Sequence, residues 1–492
     1  MREQVFWGWG EPGAGPLLPA HADVFLRDLG LRGGIVETPV ALADVRLRAP
    51  ELPAAARAAL EAAVGAGHLL DDAETRVLRC RGKSYLDLLA QRAGDCEAAP
   101  DAVVRPADHD QVAAVLRVCA EHGVAVVPFG GGTSVVGGLE APRDGFAGVV
   151  SLDLGRMDGL ESVDARSLTA VFAPGIRLPE AERALGEHGL RLAHVPQSFE
   201  WATVGGCVAT RSAGQSSTGH GRIDENVVAL RCATPTGELA TLGAPGTAAG
   251  PSLRELVVGS EGALGVITRV ALRVRSVPEG SRHEGWFARS FADGADALRQ
   301  LEQEGLAPDV ARLSDETETR VGIALAGPGG AGRRAGMAAT RALGYGEGCL
   351  LVLGWEGDER AIGARRRPAA ALLRKAGLLY AGKGPGEGWA RQRFAGPYLR
   401  DDLLDRGALV ETLETATSWT GLEPLRDAVA RALTGALGQA VVGCHVSHLY
   451  PTGASLYFTV LAARDREDPA GQWERAKRAA GEAIVAAGAT IT

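Results

Sequence analysis

The stretch "VVPFGGGTSVVGG", from Val126 to Gly138, joins an apolar run to three consecutive glycines. The run Val124–Phe129 predicts a buried strand. Because glycine has no Cβ, the backbone N–H groups of Gly130–Gly132 can turn into one concavity, and such a nest binds anions. Thr133 and Ser134 add hydroxyl donors beside it. The stretch therefore predicts a strand that runs into an anion-binding loop.

The established phosphate-binding motifs do not match this loop. No Gly-Lys-Ser/Thr follows, so it is not a Walker phosphate loop. A dinucleotide fingerprint that starts at Gly130 finds Gly132 in place but meets Val135 at the third glycine position. A glycine-rich turn that binds nothing is the plainer interpretation of the loop alone, so the rest of the chain has to decide between the two.

Two further glycine-rich segments favour a bound ligand. Pro196–Leu239 is dense in small residues and hydroxyl groups, yet strand patterns flank it. Val257–Val274 contains "VVGSEGALGVIT" ahead of another strand pattern. Loops that must lie against a flat ligand have this composition, because a missing or short side chain allows close approach of the backbone.

Composition limits the class of protein. A chain of 492 residues with 46% apolar and 23% charged residues is long enough for two or three domains with a large core. Its net charge of −8 argues against a nucleic-acid-binding protein. The seven scattered cysteines form no CxxC pair, which predicts neither a metal site nor a disulfide framework. With no signal sequence and no membrane-length apolar run, we expect a soluble cytoplasmic protein.

Three regions follow from the patterns along the chain. Residues 1–96 are mixed, with a helical stretch near Pro53–Gly67. In residues 97–278, strand and helix signals alternate. The helix around "DHDQVAAVLRVCAEHG" places Val112, Val115, Leu116 and Cys119 on one face and ends before Gly123, and further strands are predicted at Leu168–Phe172, Val227–Ala233 and Val266–Val274. Residues 279–492 carry longer helical patterns, and the whole is predicted to be α+β.

The three glycine-rich segments resemble the flavin-binding domain of the vanillyl-alcohol oxidase/PCMH superfamily. At a finer level the chain, from Phe6 to its end, resembles the alkyldihydroxyacetonephosphate synthase (alkylglycerone-phosphate synthase) family. The motifs that carry this likeness are "PFGGGTS", "PQSFEWATVGG", "ATRSAGQ", "GSEGALGVIT", "APDVARLSD", "PYLRDDLL", "LETATSW" and "GASLYFTV". The resemblance implies a two-subdomain PCMH-type FAD-binding domain and an α/β cap, the FAD-linked oxidase C-terminal domain. It also implies a flavoenzyme of ether-lipid synthesis that exchanges the acyl group of acyl-dihydroxyacetone phosphate for a fatty alcohol, without net redox.

The resemblance also supplies the residues expected to contact FAD. One departure from the family is Gln197, where an aspartate is usual. No His or Cys lies in the first loop, so we expect FAD to be bound without a covalent link. The predicted contacts are Pro128, Phe129, Gly130, Gly131, Gly132, Thr133 and Ser134; Gln197, Ser198, Phe199, Glu200, Trp201, Ala202 and Thr203; Thr210, Arg211, Ser212 and Ala213; and Glu261, Gly262, Ala263, Leu264, Gly265, Val266 and Ile267.

Three residues of the third region acquire chemical roles only through the resemblance. Tyr457, in an alternating strand pattern, is implied to be the acid–base group, and its pKa near 10 would need lowering by nearby cations or the flavin. Arg312 matches an arginine on which family activity depends, and Arg400 matches the clamp for substrate phosphate. From pattern alone, the alternatives are a core tyrosine, an ion pair of Arg312 with Asp309 or Asp315, and one of Arg400 with Asp401 or Asp402.

Other functions remain open at this point. A flavin-dependent 2-hydroxy-acid dehydrogenase of the D-lactate or glycolate type usually has a histidine metal site where this chain has Tyr450 and Tyr457, so no metal is expected. His445 and His448 are three residues apart, and on a regular strand they would point to opposite faces. We therefore expect them to be structural or to support the site from outside it. A catalytically inactive flavin-binding protein is the third alternative.

The sequence also raises expectations about binding partners and about the length of the natural protein. The expected partner is a small-molecule lipid substrate, while peripheral membrane contact and a homodimer are left open. The chain ends "GEAIVAAGATIT". In the family, a histidine-containing segment that completes the flavin domain follows this point, so we expect the sequence to be a fragment and its activity to depend on that segment.

Overall fold

The computed structural model describes residues 3–14, 17–22, 26–27, 37–327 and 329–491. The chain forms two units. The first unit comprises Met1–Ala14, Thr38–Gly214 and Gly221–Val277. The second comprises Gly15–Glu37, Gln215–His220 and Pro278–Thr492.

The glycine loop follows an edge strand of the four-stranded sheet in the first unit. This sheet has the order β1-β2-β4-β3, with β2 and β3 parallel to β4 and β1 antiparallel to β2. The predicted strand at Val124–Phe129 is confirmed as β3. The four strands are β1 (Leu69–Leu70), β2 (Ala102–Val104), β3 (Val124–Phe129) and β4 (Gly148–Asp153).

An antiparallel sheet of order β5-β6-β10-β8-β9 forms the other half of this unit, beside a short pair of β7 and β11. The three strands predicted in this region are confirmed as β6, β8 and β10. The strands are β5 (Leu160–Asp164), β6 (Thr169–Phe172), β7 (Leu190–Arg191), β8 (Val227–Thr234), β9 (Gly237–Ala240), β10 (Val266–Arg273) and β11 (Arg275–Ser276).

The helices of the first unit pack their apolar faces on these sheets. In α4 (His109–His122), Val112, Val115, Leu116 and Cys119 are all buried, as their spacing predicted, and Gly123 ends the helix in a left-handed conformation with φ of 65°. The predicted alanine-rich helix is α1. The helices are α1 (Ala54–Val64), α2 (Ala73–Val77), α3 (Tyr85–Arg92), α4 (His109–His122), α5 (Leu178–Gly186), α6 (Val204–Ala209), α8 (Ile223–Asn226) and α9 (Leu253–Val257).

Antiparallel strands build the sheet of the second unit, which has the order β15-β12-β14-β13-β17-β18-β16-β19 among the described residues. Apolar side chains of one face, such as Leu456, Phe458 and Val460, form a core with the helices. The strands are β12 (Gly280–Ala288), β13 (Val310–Ser314), β14 (Cys349–Gly357), β15 (Leu379–Gly382), β16 (Ala408–Ser418), β17 (Ala440–Tyr450), β18 (Gly453–Ala463) and β19 (Thr490–Ile491).

Alternation along β18 leaves its polar residues on the opposite face, because successive side chains of a strand point to opposite sides. The short helix α7 (Ser217–His220) belongs to this unit, although its sequence lies inside the predicted flavin region. The other helices are α10 (Phe291–Gln303), α11 (Glu316–Leu325), α12 (Ala331–Ala342), α13 (Glu359–Lys375), α14 (Gly384–Gln392), α15 (Gly396–Leu404), α16 (Leu422–Leu437) and α17 (Pro469–Ala486).

Candidate active site

The glycine loop packs directly against the second predicted segment. A Cβ on Gly131 would lie 2.1 Å from the carbonyl oxygen of Trp201, and one on Gly130 would lie 2.4 Å from Oγ1 of Thr203. Gly132 has φ of 66°, in the left-handed region that favours glycine. The three glycines are therefore required by close approach and by conformation.

The third predicted segment closes on the same place. A Cβ on Gly262 would lie 3.0 Å from Cγ of Pro128, the residue two positions before the loop. The backbone N–H of Glu261 donates to the carbonyl of Ala209 at 2.9 Å, which ties this segment to the second one. Three segments that are separate in sequence thus converge at the end of β3.

The convergence also leaves a polar group ready for a ligand. The Oγ atom of Ser134 is buried and, within the described residues, has no hydrogen-bond partner. The main chain of Ser134 is fixed, since its carbonyl accepts from the backbone N–H of Lys83 at 2.6 Å. A buried hydroxyl without a partner costs stability unless a ligand or water satisfies it. Together with the glycines, this hydroxyl fits a cofactor phosphate.

Surrounding residues hold the loop in place. The carbonyl of Gly131 accepts from Nε2 of Gln4 at 3.0 Å. The guanidinium of Arg79 lies over the ring of Phe129 at 5.4 Å and pairs with the buried Asp153 at 2.8 Å. Sequence reasoning did not single out Gln4, Lys83 or Arg79, and none of them lies in a glycine-rich segment that would have signalled its role.

The remaining predicted cofactor contacts lie in the first unit as well. Thr203 caps α6, because its side chain accepts from the backbone N–H of Gly206 at 3.1 Å. Thr210 donates to the carbonyl of Gly206, while Arg211 pairs with Asp224 and Glu255, both at 2.9 Å. The other predicted residues are part of the same three segments: Thr133, Gln197, Ser198, Phe199, Glu200, Ala202, Ser212, Ala213, Ala263, Leu264, Gly265, Val266 and Ile267.

In the second unit, Arg312 sits in a compact polar cluster. Its guanidinium pairs with Glu318 of α11, and its Nη2 atom lies 3.1 Å from Nδ1 of His445 on β17. The other carboxylate oxygen of Glu318 lies 3.0 Å from the same Nδ1 atom. The ion pair considered for Arg312, with Asp309 or Asp315, is therefore made with Glu318 instead. The geometric reason is that Glu318 lies in the first turn of α11, and only Asp315 separates this helix from β13, the strand that carries Arg312.

Tyr457 lies beside this cluster. It is directly opposite His445 in the pairing of β17 with β18, and the two rings stack with centroids 5.0 Å apart at 28°. On its other side, Tyr457 is opposite Glu414 of β16. Tyr457 is therefore on the polar face and not among the core side chains that its strand pattern allowed as an alternative.

The expectation that His445 and His448 point to opposite faces is wrong. The register between β17 and β18 shifts between Val446 and His448, so His445 is opposite Tyr457 and His448 is opposite Ser455. Tyr457 and Ser455 are two residues apart and share a face, so both histidines share it too. An extra residue in one strand resets the alternation, which is the effect of a β-bulge.

Burial and neighbouring charges shift the pKa values of the residues in this cluster. Burial opposes ionisation of Glu318, but the facing His445 and Arg312 outweigh it and lower the pKa of Glu318 to about 2. Burial, followed by Arg312, lowers the pKa of His445. Burial raises the pKa of Tyr457, and Glu414 and Glu411 add to the increase. The chain's own groups therefore hold Tyr457 as a neutral phenol, opposite to the lowering that acid–base catalysis was expected to need.

Arg400 lies on a different element from the residues of this cluster, the helix α15. Its Nε and Nη2 atoms both lie 3.4 Å from Oδ1 of Asp401, one of the two ion-pair partners considered from the sequence. Asp402 instead accepts from the backbone N–H groups of Leu17 and Leu18. The side chain of Arg400 is 16% exposed, so solvent or a ligand can reach part of it.

Within the described ranges, no helix has the length and apolar character needed to cross a bilayer. No group of three or more His, Cys, Asp or Glu side chains in those ranges is arranged to hold a metal ion.

Comparisons with known proteins define the class first. Residues 100–243 match the FAD binding domain, and residues 277–492 match the C-terminal domain of FAD linked oxidases. The chain thus combines the FAD-binding and C-terminal domains of the FAD-linked oxidases. This agrees with the predicted α+β fold of PCMH type.

The particular family follows from longer matches. The alkyldihydroxyacetonephosphate synthase of Dictyostelium discoideum is 32% identical over 435 residues, which are 86% of this chain and 71% of that protein. A solved alkyldihydroxyacetonephosphate synthase superposes with a TM-score of 0.88 at 29% identity, over 100% of this chain and 94% of the other. This chain belongs to the alkyldihydroxyacetonephosphate synthase family, as its motifs predicted.

The similarity to the alternative class, the flavin-dependent 2-hydroxy-acid dehydrogenases, covers less of the chain. A mitochondrial D-lactate dehydrogenase (cytochrome) of Arabidopsis thaliana is 32% identical, but over 223 residues, which are 45% of this chain and 38% of that protein. The shared part is shorter than the two domains together.

Proposed function

We propose that this protein is an FAD-dependent enzyme of ether-lipid synthesis that exchanges the acyl group of acyl-dihydroxyacetone phosphate for a fatty alcohol. The observation that carries the proposal is the convergence of three segments at Gly130–Gly132, in a chain that belongs to the synthase family. The products are an alkyl-dihydroxyacetone phosphate and a fatty acid, so no electron acceptor is consumed.

The first unit would hold the cofactor. Gly130–Gly132 and the hydroxyl of Ser134 would bind its phosphates, and the segments at Gln197–Thr203 and Glu261–Ile267 would line its rings. When bound, FAD supplies the electron-accepting ring system that allows acyl-for-alkyl exchange without net redox change. We propose that it is bound without a covalent link, because the first loop contains neither His nor Cys.

Tyr457 is proposed to move the proton at the reacting carbon of the substrate. Burial and two neighbouring carboxylates keep its phenol protonated in the resting protein. A protonated Oη can donate as an acid at once, whereas base catalysis requires a change of charge around it when substrate binds. The ring of His445 stacks on the ring of Tyr457 with centroids 5.0 Å apart, so it limits the swing of the Tyr457 side chain about Cα–Cβ and keeps Oη in one position.

The two arginines are proposed to bind and orient the anionic substrate. A guanidinium forms two parallel hydrogen bonds to a phosphate, which fixes the orientation of the bound group. Arg400 on α15 is proposed for the phosphate, because it matches the family's phosphate clamp and its side chain is 16% exposed, so a ligand can reach the guanidinium. Arg312 is held by Glu318, which balances its charge and fixes the position of its guanidinium in the cluster beside Tyr457.

One assay separates this proposal from the dehydrogenase alternative. Purified holoprotein is incubated anaerobically with acyl-dihydroxyacetone phosphate and hexadecanol, without an electron acceptor, and the ether product is measured. We expect ether formation, and we expect Tyr457→Phe to slow it about 10²- to 10⁴-fold. Turnover only with a 2-hydroxy acid plus an acceptor would refute the proposal in favour of a dehydrogenase. Binding of FAD without either reaction would identify an inactive flavoprotein.

The nature of the cofactor bond and the cellular context are tested separately. Denatured holoprotein passed through a filter should release all yellow colour, and colour retained with the polypeptide would show a covalent link. We also propose a cytoplasmic location, where a lipid substrate would be reached at the membrane surface. Co-sedimentation with phospholipid vesicles and the mass in solution would test membrane contact and a homodimer.

A further inference from the structure

Glu318 occupies the centre of the polar cluster in the second unit. One of its carboxylate oxygens pairs with Arg312 of β13, and the other lies 3.0 Å from Nδ1 of His445 on β17. Its own backbone is fixed, because its N–H donates to Oδ1 of Asp315, the capping residue of α11, at 2.7 Å. A single carboxylate thus connects a helix to two strands of the sheet.

We propose that Glu318 is a positioning residue that fixes Arg312 and the ring of His445, and through that ring the orientation of Tyr457. The inference deepens the proposed function and rests on it, since the residue that is positioned is the proposed acid–base group. Neither Glu318 nor His445 was among the residues that the family motifs assigned.

The contacts require one tautomer of His445. Nδ1 lies 3.1 Å from the Nη2 donor of Arg312 and 3.0 Å from the acceptor oxygen of Glu318. It cannot accept from the arginine and donate to the carboxylate in the same tautomer. Arg312 already has an acceptor, because it donates to one oxygen of Glu318. If Nδ1 of His445 were unprotonated, its lone pair would face the second oxygen of Glu318, and the two would repel. We therefore assign the proton to Nδ1, which leaves Nε2 without one.

The charge balance explains what this arrangement does for Tyr457. Glu318 neutralises Arg312, so the cluster carries no net charge while His445 is neutral. The groups that face Tyr457 are Glu414 and Glu411 on β16, Arg312 on β13 and His445 on β17. The groups that face Glu318 and His445 are Arg312 and, on the capping turn, Asp315. Removing the charge of Glu318 leaves Arg312 uncompensated, and this favours the phenolate of Tyr457.

The tautomer can be measured on the unmodified holoprotein. Nitrogen chemical shifts of ¹⁵N-histidine-labelled protein distinguish a protonated from an unprotonated ring nitrogen, and the His445→Asn variant identifies the signals of His445. We expect protonated Nδ1 and unprotonated Nε2 at neutral pH. A ring protonated at Nε2 alone would overturn the proposal, because Arg312 and not Glu318 would then orient the imidazole.

A titration tests the link to Tyr457. The phenolate absorbance of each holoprotein is recorded against pH, and the curve of the matching Tyr457→Phe variant is subtracted to cancel the flavin and the other tyrosines. We expect Glu318→Gln to move the Tyr457 midpoint down by about one pH unit, the size expected for one nearby charge. Glu316→Gln is the matched control, since Glu316 is on the same helix but contacts Phe291 and Arg426.

The outcomes separate this inference from the proposed function. An unchanged Tyr457 midpoint in Glu318→Gln, or an equal change in Glu316→Gln, would show that Glu318 is merely structural. If Glu318→Gln does not fold, the tautomer of His445 in the unmodified protein still shows whether Glu318 orients the ring. Both readouts are made without substrate, so a protein that fails the ether-forming assay can still confirm the role of Glu318, and the reverse also holds.

Discussion

Replacing Gly131 with alanine tests the convergence of the three segments at a single atom. The new Cβ would lie 2.1 Å from the carbonyl oxygen of Trp201, where ordinary contacts begin at 3.4 Å, so the loop and the segment must separate by about 1.3 Å. The nearest atoms are all backbone, so no side-chain rotation relieves the clash. Overpacking costs about 1–3 kcal/mol, and we expect about 3 kcal/mol here because nothing flexible can move.

If the loop holds FAD, this strain should weaken binding about a hundredfold, since 1.4 kcal/mol corresponds to a factor of ten. The assay is FAD titration of the apoprotein by fluorescence, together with the thermal shift on adding FAD. FAD at a hundred times its Kd should stabilise the unmodified protein by about 2.7 kcal/mol, and the variant should lose most of this effect.

Gly159→Ala is the control for this experiment. A Cβ at Gly159 would meet no atom within 4 Å, and its backbone is not in the left-handed region, so FAD affinity should not change. Should Gly131→Ala bind FAD with an affinity within threefold of the unmodified protein, the loop is not the phosphate site. A loss of the same size in Gly159→Ala would show that the effect is a general response to substitution.

Three further outcomes follow from the site. Tyr457→Phe should lower kcat about 10²- to 10⁴-fold while FAD affinity stays within twofold, and an unchanged kcat would remove Tyr457 from the chemistry. Arg400→Gln should raise KM for the phosphate-bearing substrate about tenfold or more with a smaller change in kcat, and the reverse pattern would contradict a binding role. Burial raises the pKa of Asp315 to about 6 in the folded protein, above its unfolded value of 3.8. The protonated Asp315 carboxyl therefore contributes to the free energy of unfolding in full below pH 4, and this contribution is lost as the pH rises through 6. Asp315→Asn, which keeps the helix cap, should therefore gain up to about 3 kcal/mol relative to the unmodified protein between pH 4 and pH 7 in denaturant unfolding, and a constant difference would disprove the raised pKa.

Local pattern was sufficient for much of the first unit. The helix His109–His122 lies where its apolar spacing placed it, because it buries one continuous face. The strand Val124–Phe129 lies where its apolar run placed it, because it is buried on both faces, with Val124 in one core cluster and Ala125 and Val127 in another. Motif likeness found the three glycine-rich segments, and the structure gives the physical reason for their glycines in contacts as short as 2.1 Å. What the sequence could not show is that Gln215–His220, inside the second segment, belongs to the other unit. That assignment depends on long-range packing, and hydrophobic periodicity carries information only about local structure.

The polar cluster shows a second limit of sequence reasoning. His445 was set aside because an even alternation along its strand separates it from His448, and a single bulged residue cancels that argument. Glu318 carries only the signature of a helix start, an acidic residue three positions after the capping Asp315, and this signature is the same whether or not the carboxylate reaches an arginine. Its role arises because α11 begins directly after β13, so the first turn of the helix must lie beside the strand that carries Arg312. The same connection places Glu318 opposite His445, since β17 is the next strand in the sheet. A short connection and one strand pairing therefore assemble the cluster, and the bulge brings His448 to the same face of the sheet.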